Sequence, residues 1–212
     1  MARPELRVEG ANDLHTIANL VARHGIDHKT DESVPDIHKA GNIEKLLDAV
    51  ETAISASGGR TIGFILDADT SLESRWDAVR SRLLGAGVEA IPSSPPEFGF
   101  IGASSRYETR VGVWIMPDNL SNGKLENFIQ TLIPEDDPIY SHTIEATAKA
   151  KSLGAQFRDV DRDKAILHAW LAWQDPPGPP YGVAIKAERF RHDSPLAQAF
   201  VSWYRELYEI SD

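Results

Sequence analysis

The stretch Thr61 to Gly87, TIGFILDADTSLESRWDAVRSRLLGAG, constrains the fold most. It opens with the uninterrupted apolar run Ile62 to Leu66, too short for a helix, with Gly58-Gly59 before it and an acidic turn after it. Such a run predicts a strand buried on both faces, as in a parallel sheet. Ser71 stands where it can cap a helix whose apolar residues Trp76, Val79, Leu83 and Leu84 recur at helical spacing, with Gly85 and Gly87 to stop it. Asp67 and Asp69 fall between strand and helix, where open α/β sheets place their ligand crevices. In extended backbone, residues two apart point to the same side, so the pair is expected to aim two carboxylates at one spot. Adjacent carboxylates repel unless a proton or cation sits between them, and hard oxygen ligands suit Mg²⁺. The plainer reading is that one aspartate caps the helix and the other is solvated.

The same alternation of strand and helix runs through the first two thirds of the chain. A strand Leu6 to Val8 ends at Glu9-Gly10, and a helix carries Leu14, Ile17, Leu20 and Val21 on one side. An irregular or extended segment covers Ile26 to Ala40, and Asn42 caps a helix through Ile54. Val88 to Arg110 reads as loops with one or two short strands, Val111 to Met116 as a strand, and Lys124 to Ile133 as a helix. This order predicts a mainly parallel sheet with helices on both faces. The last third adds helices over Asp136 to Leu153, Asp161 to Trp173 and Pro195 to Glu209, and Gly182 to Ala187 reads as a strand. The expected division is an α/β core over 1–133 and a mostly helical C-terminal region over 134–212 packed on it.

Composition limits the chemistry. The 212 residues contain no cysteine, which removes disulfides, zinc–thiolate sites and thiol nucleophiles from this sequence. The seven histidines lack H-x-H or H-E-x-x-H spacing, so a zinc site is not expected. A net charge of −10 argues against a protein that coats duplexes with a wide basic face, although not against an enzyme that meets phosphates through metal ions. No apolar run reaches membrane-spanning length and the first residues lack a signal-peptide core, so a cytoplasmic protein with no membrane partner is expected. Leu167, Trp170 and Trp173 lie three apart and read as a core stripe, as do Trp203 and Tyr204.

Acid groups follow three predicted strands: Glu9, the Asp67–Asp69 pair and Asp118. Asp13, on the first turn of the first helix, reads equally as a cap. The Val8-Glu9-Gly10 triplet with Asp13, followed by Ile65 to Asp69, ILDAD, resembles the Toprim pattern of topoisomerases, bacterial primases, recombination mediators and overcoming-lysogenization-defect nucleases. GVWIMPDN (112–119), GKLENF (123–128) and DKAILHAWLAWQ (163–174) resemble an uncharacterised bacterial Toprim-like family of about this length. The resemblance implies a Toprim-like sheet in which Glu9, Asp67 and Asp69 bind Mg²⁺ or Mn²⁺. Asp13 and Glu126 would complete a second metal site, Glu9 and Lys164 would serve catalysis, and Arg75 and Lys124 would face substrate phosphate. It further implies metal-dependent phosphodiester hydrolysis on nucleic acid, alone or with a protein partner. The alternative is a non-catalytic module that binds metal or a nucleotide. No tyrosine is placed for topoisomerase chemistry, and no ATPase segment is attached. LDADTSL also resembles the first motif of haloacid-dehalogenase-type phosphatases, with Asp67 as nucleophile and Asp69 as acid/base, but Thr70 stands where that family usually has glycine.

Overall fold

The computed structural model describes residues 3–27 and 32–211. Residues 28–31, inside the segment expected to be irregular or extended, lie outside them. The strands are β1 (Glu5–Val8), β2 (Asp36–Lys39), β3 (Ile62–Asp67), β4 (Phe100–Ser104) and β5 (Thr109–Met116). The helices are α1 (Ala11–Arg23), α2 (Ile43–Ser55), α3 (Leu72–Gly85), α4 (Leu125–Gln130), α5 (Pro138–Ser152), α6 (Arg162–Ala172), α7 (Tyr181–Lys186) and α8 (Pro195–Tyr208).

The sheet runs β2-β1-β3-β5-β4. β1, β2, β3 and β5 are parallel, and β4 is an antiparallel edge on β5. β3 lies at the centre, and Ile62, Phe64, Ile65 and Leu66 are fully buried. Side chains alternate between faces along a strand. Ile65 therefore joins Leu6, Val8, Trp114 and Met116 in the core under α1 and α8, while Ile62, Phe64 and Leu66 join Val111, Val113 and Ile115 under α2 and α3. This explains why β3 reads as an unbroken apolar run: both faces are covered.

Local chemistry sets the helix starts. The side chains of Asn42, Ser71 and Ser194 accept bonds from the amides of Lys45, Ser74 and Ala197, while Asp137 accepts from Ile139 and Tyr140. Each satisfies amides that the helix itself leaves unpaired. Pro138 and Pro195 occupy first helical positions, where a missing N–H costs nothing.

The segment after residue 133 shares the larger core: Trp170, Tyr181, Phe200 and Trp203 pack in one cluster with Leu6 and Trp114. Helix α8 comes so close to the sheet that Gly63 and Gly112, paired in register across β3 and β5, have no room for a Cβ. A Cβ at Gly63 would lie 2.4 Å from the Tyr208 hydroxyl, and one at Gly112 would lie 2.4 Å from Leu207. The expected strand over 182–187 is instead helix α7. A four-residue apolar run fits either state on periodicity alone, and packing decides it. A Cβ on Gly182 would lie 2.7 Å from the carbonyl oxygen of His15, so only glycine lets α7 lie directly on α1. Trp173, expected in the core, is 49% exposed because α6 ends at Ala172 and the chain turns away. Leu84, expected on the buried face of α3, is 50% exposed. Among the described residues no helix is long and apolar enough to cross a membrane.

The glycine-lined seat of Leu207 gives a direct prediction. Leu207→Ala removes a fully buried side chain from a contact that the two glycines cannot refill, and costs about 2–5 kcal/mol in urea unfolding. Leu84→Ala on the exposed side of α3 changes stability by no more than about 0.5 kcal/mol. Equal effects for the two would contradict this packing.

Candidate functional site

β1 and β3 run parallel, but the order in which strands are added to the sheet reverses between them. β1 leads through α1 to β2 on one side, whereas β3 leads through α3 toward β5 on the other. Such a reversal opens a crevice beyond the carboxyl ends of the strands. Glu9 stands one residue past β1 and Asp67 ends β3. A Glu9 carboxylate oxygen accepts a hydrogen bond from the Asp67 amide at 2.8 Å, joining the two strand ends across the crevice. Asp67 Oδ1 accepts from the amide of Leu125, the first residue of α4, at 2.9 Å. Two carboxylates and the start of a helix are thereby held together.

Asp13 and Glu126 border the same space, and both are buried. Asp13 Oδ2 accepts from the Gly10 amide at 3.0 Å, so the aspartate does cap its helix, while its charge still faces Glu9, Asp67 and Glu126. Tyr181 of α7, itself buried, points its hydroxyl at Glu126 Oε1 (3.5 Å) and at His168 Nε2 of α6 (3.2 Å). Lys164 Nζ lies 3.9 Å from Glu126 Oε1.

Burial dominates the acid strengths here. It pushes Asp67 up to about 8, and the charges of Glu9 and Asp13 push the same way. Burial also raises Glu9 to about 7, against the lowering pull of the bond from the Asp67 amide, and raises Asp13 to about 6 against its own backbone bonds. These carboxyls repel one another in a poorly solvated site, so each holds its proton to higher pH.

Asp69 departs from the two-residue rule. Its φ of +54° is left-handed, and its amide donates to the Gly123 carbonyl at 2.8 Å. A residue in that conformation breaks the extended alternation. The Asp69 carboxylate accordingly binds Arg75 (2.8 Å) and Lys124 (3.2 Å). Arg75 also donates to the Asp67 carbonyl at 2.7 Å, so it braces the turn from below. Asp118 is spent on its own turn, accepting from the Leu120 and Ser121 amides and the Ser121 hydroxyl.

Two cavities make up the crevice. One, about 450 Å³, is bordered by Glu9, Asp13, Asn42 and Asp67. The other, about 720 Å³, is bordered by Asp69, Arg75, Lys124 and, from the C-terminal region, Arg158, Asp161 and Asp163. Asp67, Glu126 and Lys164 border both. The sequence signalled neither Arg158 nor Tyr181. Arg158, which lines the larger cavity, lies in the loop before α6, and Tyr181, which reaches Glu126 from behind, follows a proline pair; nothing in their neighbours marks either.

Among the described residues, no group of three or more His, Asp or Glu side chains is disposed as a ready metal cage. The donor set nevertheless fits Mg²⁺ or Mn²⁺ in a narrower sense. Mg²⁺ keeps several waters and is commonly held by one or two carboxylates together with phosphate oxygens. Glu9 and Asp67 offer two hard oxygen donors whose mutual repulsion a cation would relieve.

A family model described as "Protein of unknown function (DUF3226)" matches residues 3–209. No curated protein and no solved structure matches the chain.

The raised carboxyls set the pH dependence of stability without added cation. Each has a folded-state pKa above its ordinary value near 4, so its contribution is complete below about pH 4 and is lost progressively as pH climbs from there to the folded values of about 6 to 8. Asp67→Asn keeps an oxygen for the Leu125 amide and cannot ionise. In chelator at about pH 8 it should melt at least about 3 °C above wild type, on the scale that 1 kcal/mol produces at this size, with the gap closing toward about pH 4. Parallel melting curves across that range would contradict the electrostatic reading.

Proposed function

The chain belongs to the DUF3226 family, and for it we propose divalent-cation-dependent binding of a phosphate-bearing ligand, a nucleotide or nucleic-acid phosphate, in the crevice beyond β1 and β3. The observation that carries this is the bridge from Glu9 to the Asp67 amide. It ties the half-buried Glu9 carboxylate to the end of the strand that carries the half-buried Asp67, at the point where the strand order reverses, with Lys164 bordering the same space.

In this reading Glu9 and Asp67 hold Mg²⁺ or Mn²⁺. Asp13 and Glu126 add negative charge behind them, which favours a dication over a monovalent ion. The bound cation supplies positive charge against the phosphate and Lewis acidity at that point. Lys124 and Lys164 meet the remaining phosphate oxygens, and Arg75 keeps the turn that carries Asp67 and Asp69 in place. Binding without turnover leads because Asp69, the third acid of the Toprim-like set, is neutralised by Arg75 and Lys124.

A second reading, phosphodiester hydrolysis, has its own support. Asp13 and Glu126 both lie near enough to Asp67 to raise its proton affinity, so the acids of a second cation position sit beside the first. Lys164 would then hold its ammonium against the charge that develops on the phosphate. The phosphatase reading asks Asp69 to move a proton, and its two ion pairs oppose that.

Calorimetric titration of Mg²⁺ and Mn²⁺ into wild type, Asp67→Asn and Glu9→Gln tests the reading. Binding in wild type that weakens roughly 10-fold or more in each variant is the expected result, since each removes one of two charged donors. Unchanged binding in both variants would overturn it. Incubation with single- and double-stranded DNA and RNA then separates the two readings, because cation-dependent cleavage lost in Asp67→Asn selects hydrolysis.

A further inference from the structure

The larger half of the crevice is walled by the C-terminal region, and that wall is tied to the sheet end. Asn127 of α4 donates to Asp163 Oδ2 at 2.9 Å, and Gln130 donates to the Asp163 carbonyl at 3.3 Å. The 3-10 turn Asp159–Asp161 and the first turn of α6 thereby stand opposite Asp69 and Lys124. We propose that this half takes a small phosphorylated ligand of nucleotide size, its terminal phosphate between Lys124 and Lys164, rather than a length of nucleic-acid strand. The inference rests on the reading of Glu9 and Asp67 as a cation site and specifies what that site serves.

Three features support the small ligand. The cavity of about 720 Å³ falls inside the range of roughly 300–1,000 Å³ typical of small-molecule sites. Among the described residues its lining holds no Phe, Tyr or Trp, whereas proteins that hold single strands stack successive bases on aromatic side chains. Its charges are local: Arg75, Lys124, Arg158 and Lys164 converge on one cavity, in a chain of net charge −10. A strand would need a basic track running on beyond the site. Each of these cations also faces an acid: Arg75 and Lys124 face Asp69, Arg158 faces Asp161, and Lys164 faces Glu126. A phosphate between Lys124 and Lys164 therefore competes with the partly solvated pairs that these two lysines make with Asp69 and Glu126, leaving the Arg75–Asp69 pair in place, and the dication beside Asp67 tips the balance toward it. Small polar ligands with a concentrated charge suit such a site better than an extended backbone does.

Calorimetry with Mg²⁺ present, using ADP, pyrophosphate, a single-stranded oligonucleotide and a duplex as probes, decides the matter. ADP or pyrophosphate should bind at least about tenfold more tightly than either oligonucleotide, since the oligonucleotides gain no stacking or further phosphate contacts. Arg158→Ala alters a side chain that is 77% exposed, so folding is not at stake, and it should weaken ADP or pyrophosphate binding about threefold or more while Mg²⁺ binding stays as in wild type. Tighter binding of an oligonucleotide, or no binding of either small probe while Mg²⁺ binds, overturns the small-ligand inference and leaves the cation site standing. Failure of Mg²⁺ to bind sinks both.

Discussion

Burial of β3 on both faces is the constraint on which the rest depends. A strand that covers Leu6 and Trp114 on one side and Leu83 and Val113 on the other must lie inside the sheet, flanked by β1 and β5. Parallel pairing on both flanks then brings three strand ends to one edge of the molecule. The β1–β3 boundary is where the chain's course reverses, and the helices that follow the two strands depart to opposite faces. The crevice follows from that topology before any polar residue is considered. Glu9 and Asp67 inherit their positions from it, and the bond from the Asp67 amide holds the Glu9 carboxylate at the end of β3.

Electrostatics in the crevice divides along a line set by one backbone angle. Had Asp69 continued the extended chain, its carboxylate would have joined Glu9 and Asp67. Its left-handed φ turns it toward Arg75 and Lys124 instead, giving an acidic half behind Asp67 and a mixed, cation-bearing half in front. The acidic half is where proton affinities are raised, because desolvation and like charges act together there. A site that stores this repulsion is poised to gain from a dication. A site that places Lys124 and Lys164 beside it is poised to gain from a phosphate.

Much of this was legible in the sequence, and the limits have physical causes. The apolar run of β3, the Ser71 and Asn42 caps and the strand–helix alternation announced a mainly parallel sheet with helices on both faces, because local patterning and burial agree in those elements. The edge strand β4 was not foreseen as antiparallel, since pairing direction at an edge depends on how loop 88–99 returns. Helix α7 was misread as a strand because its state is set by contact of Gly182 with His15, distant in sequence. Glu9, Asp67, Lys164 and Glu126 were named from order and resemblance, and the fold brings them to one crevice. The turn of Asp69 was hidden, since the hydrogen bond its N–H donates to the Gly123 carbonyl spans an intervening helix and two strands. Arg158 and Tyr181 were hidden for the same reason: their roles exist only once the C-terminal region lies against α1 and α4.

We propose the Glu9–Asp67 pair as the cation position. The most direct measurement is anomalous diffraction from crystals soaked in Mn²⁺. A peak is expected within direct coordination distance, about 2–2.5 Å, of a carboxylate oxygen of Asp67 or Glu9. A peak confined to Asp161 and Asp163, or bound Mn²⁺ with both Glu9 and Asp67 left uncoordinated, would contradict it.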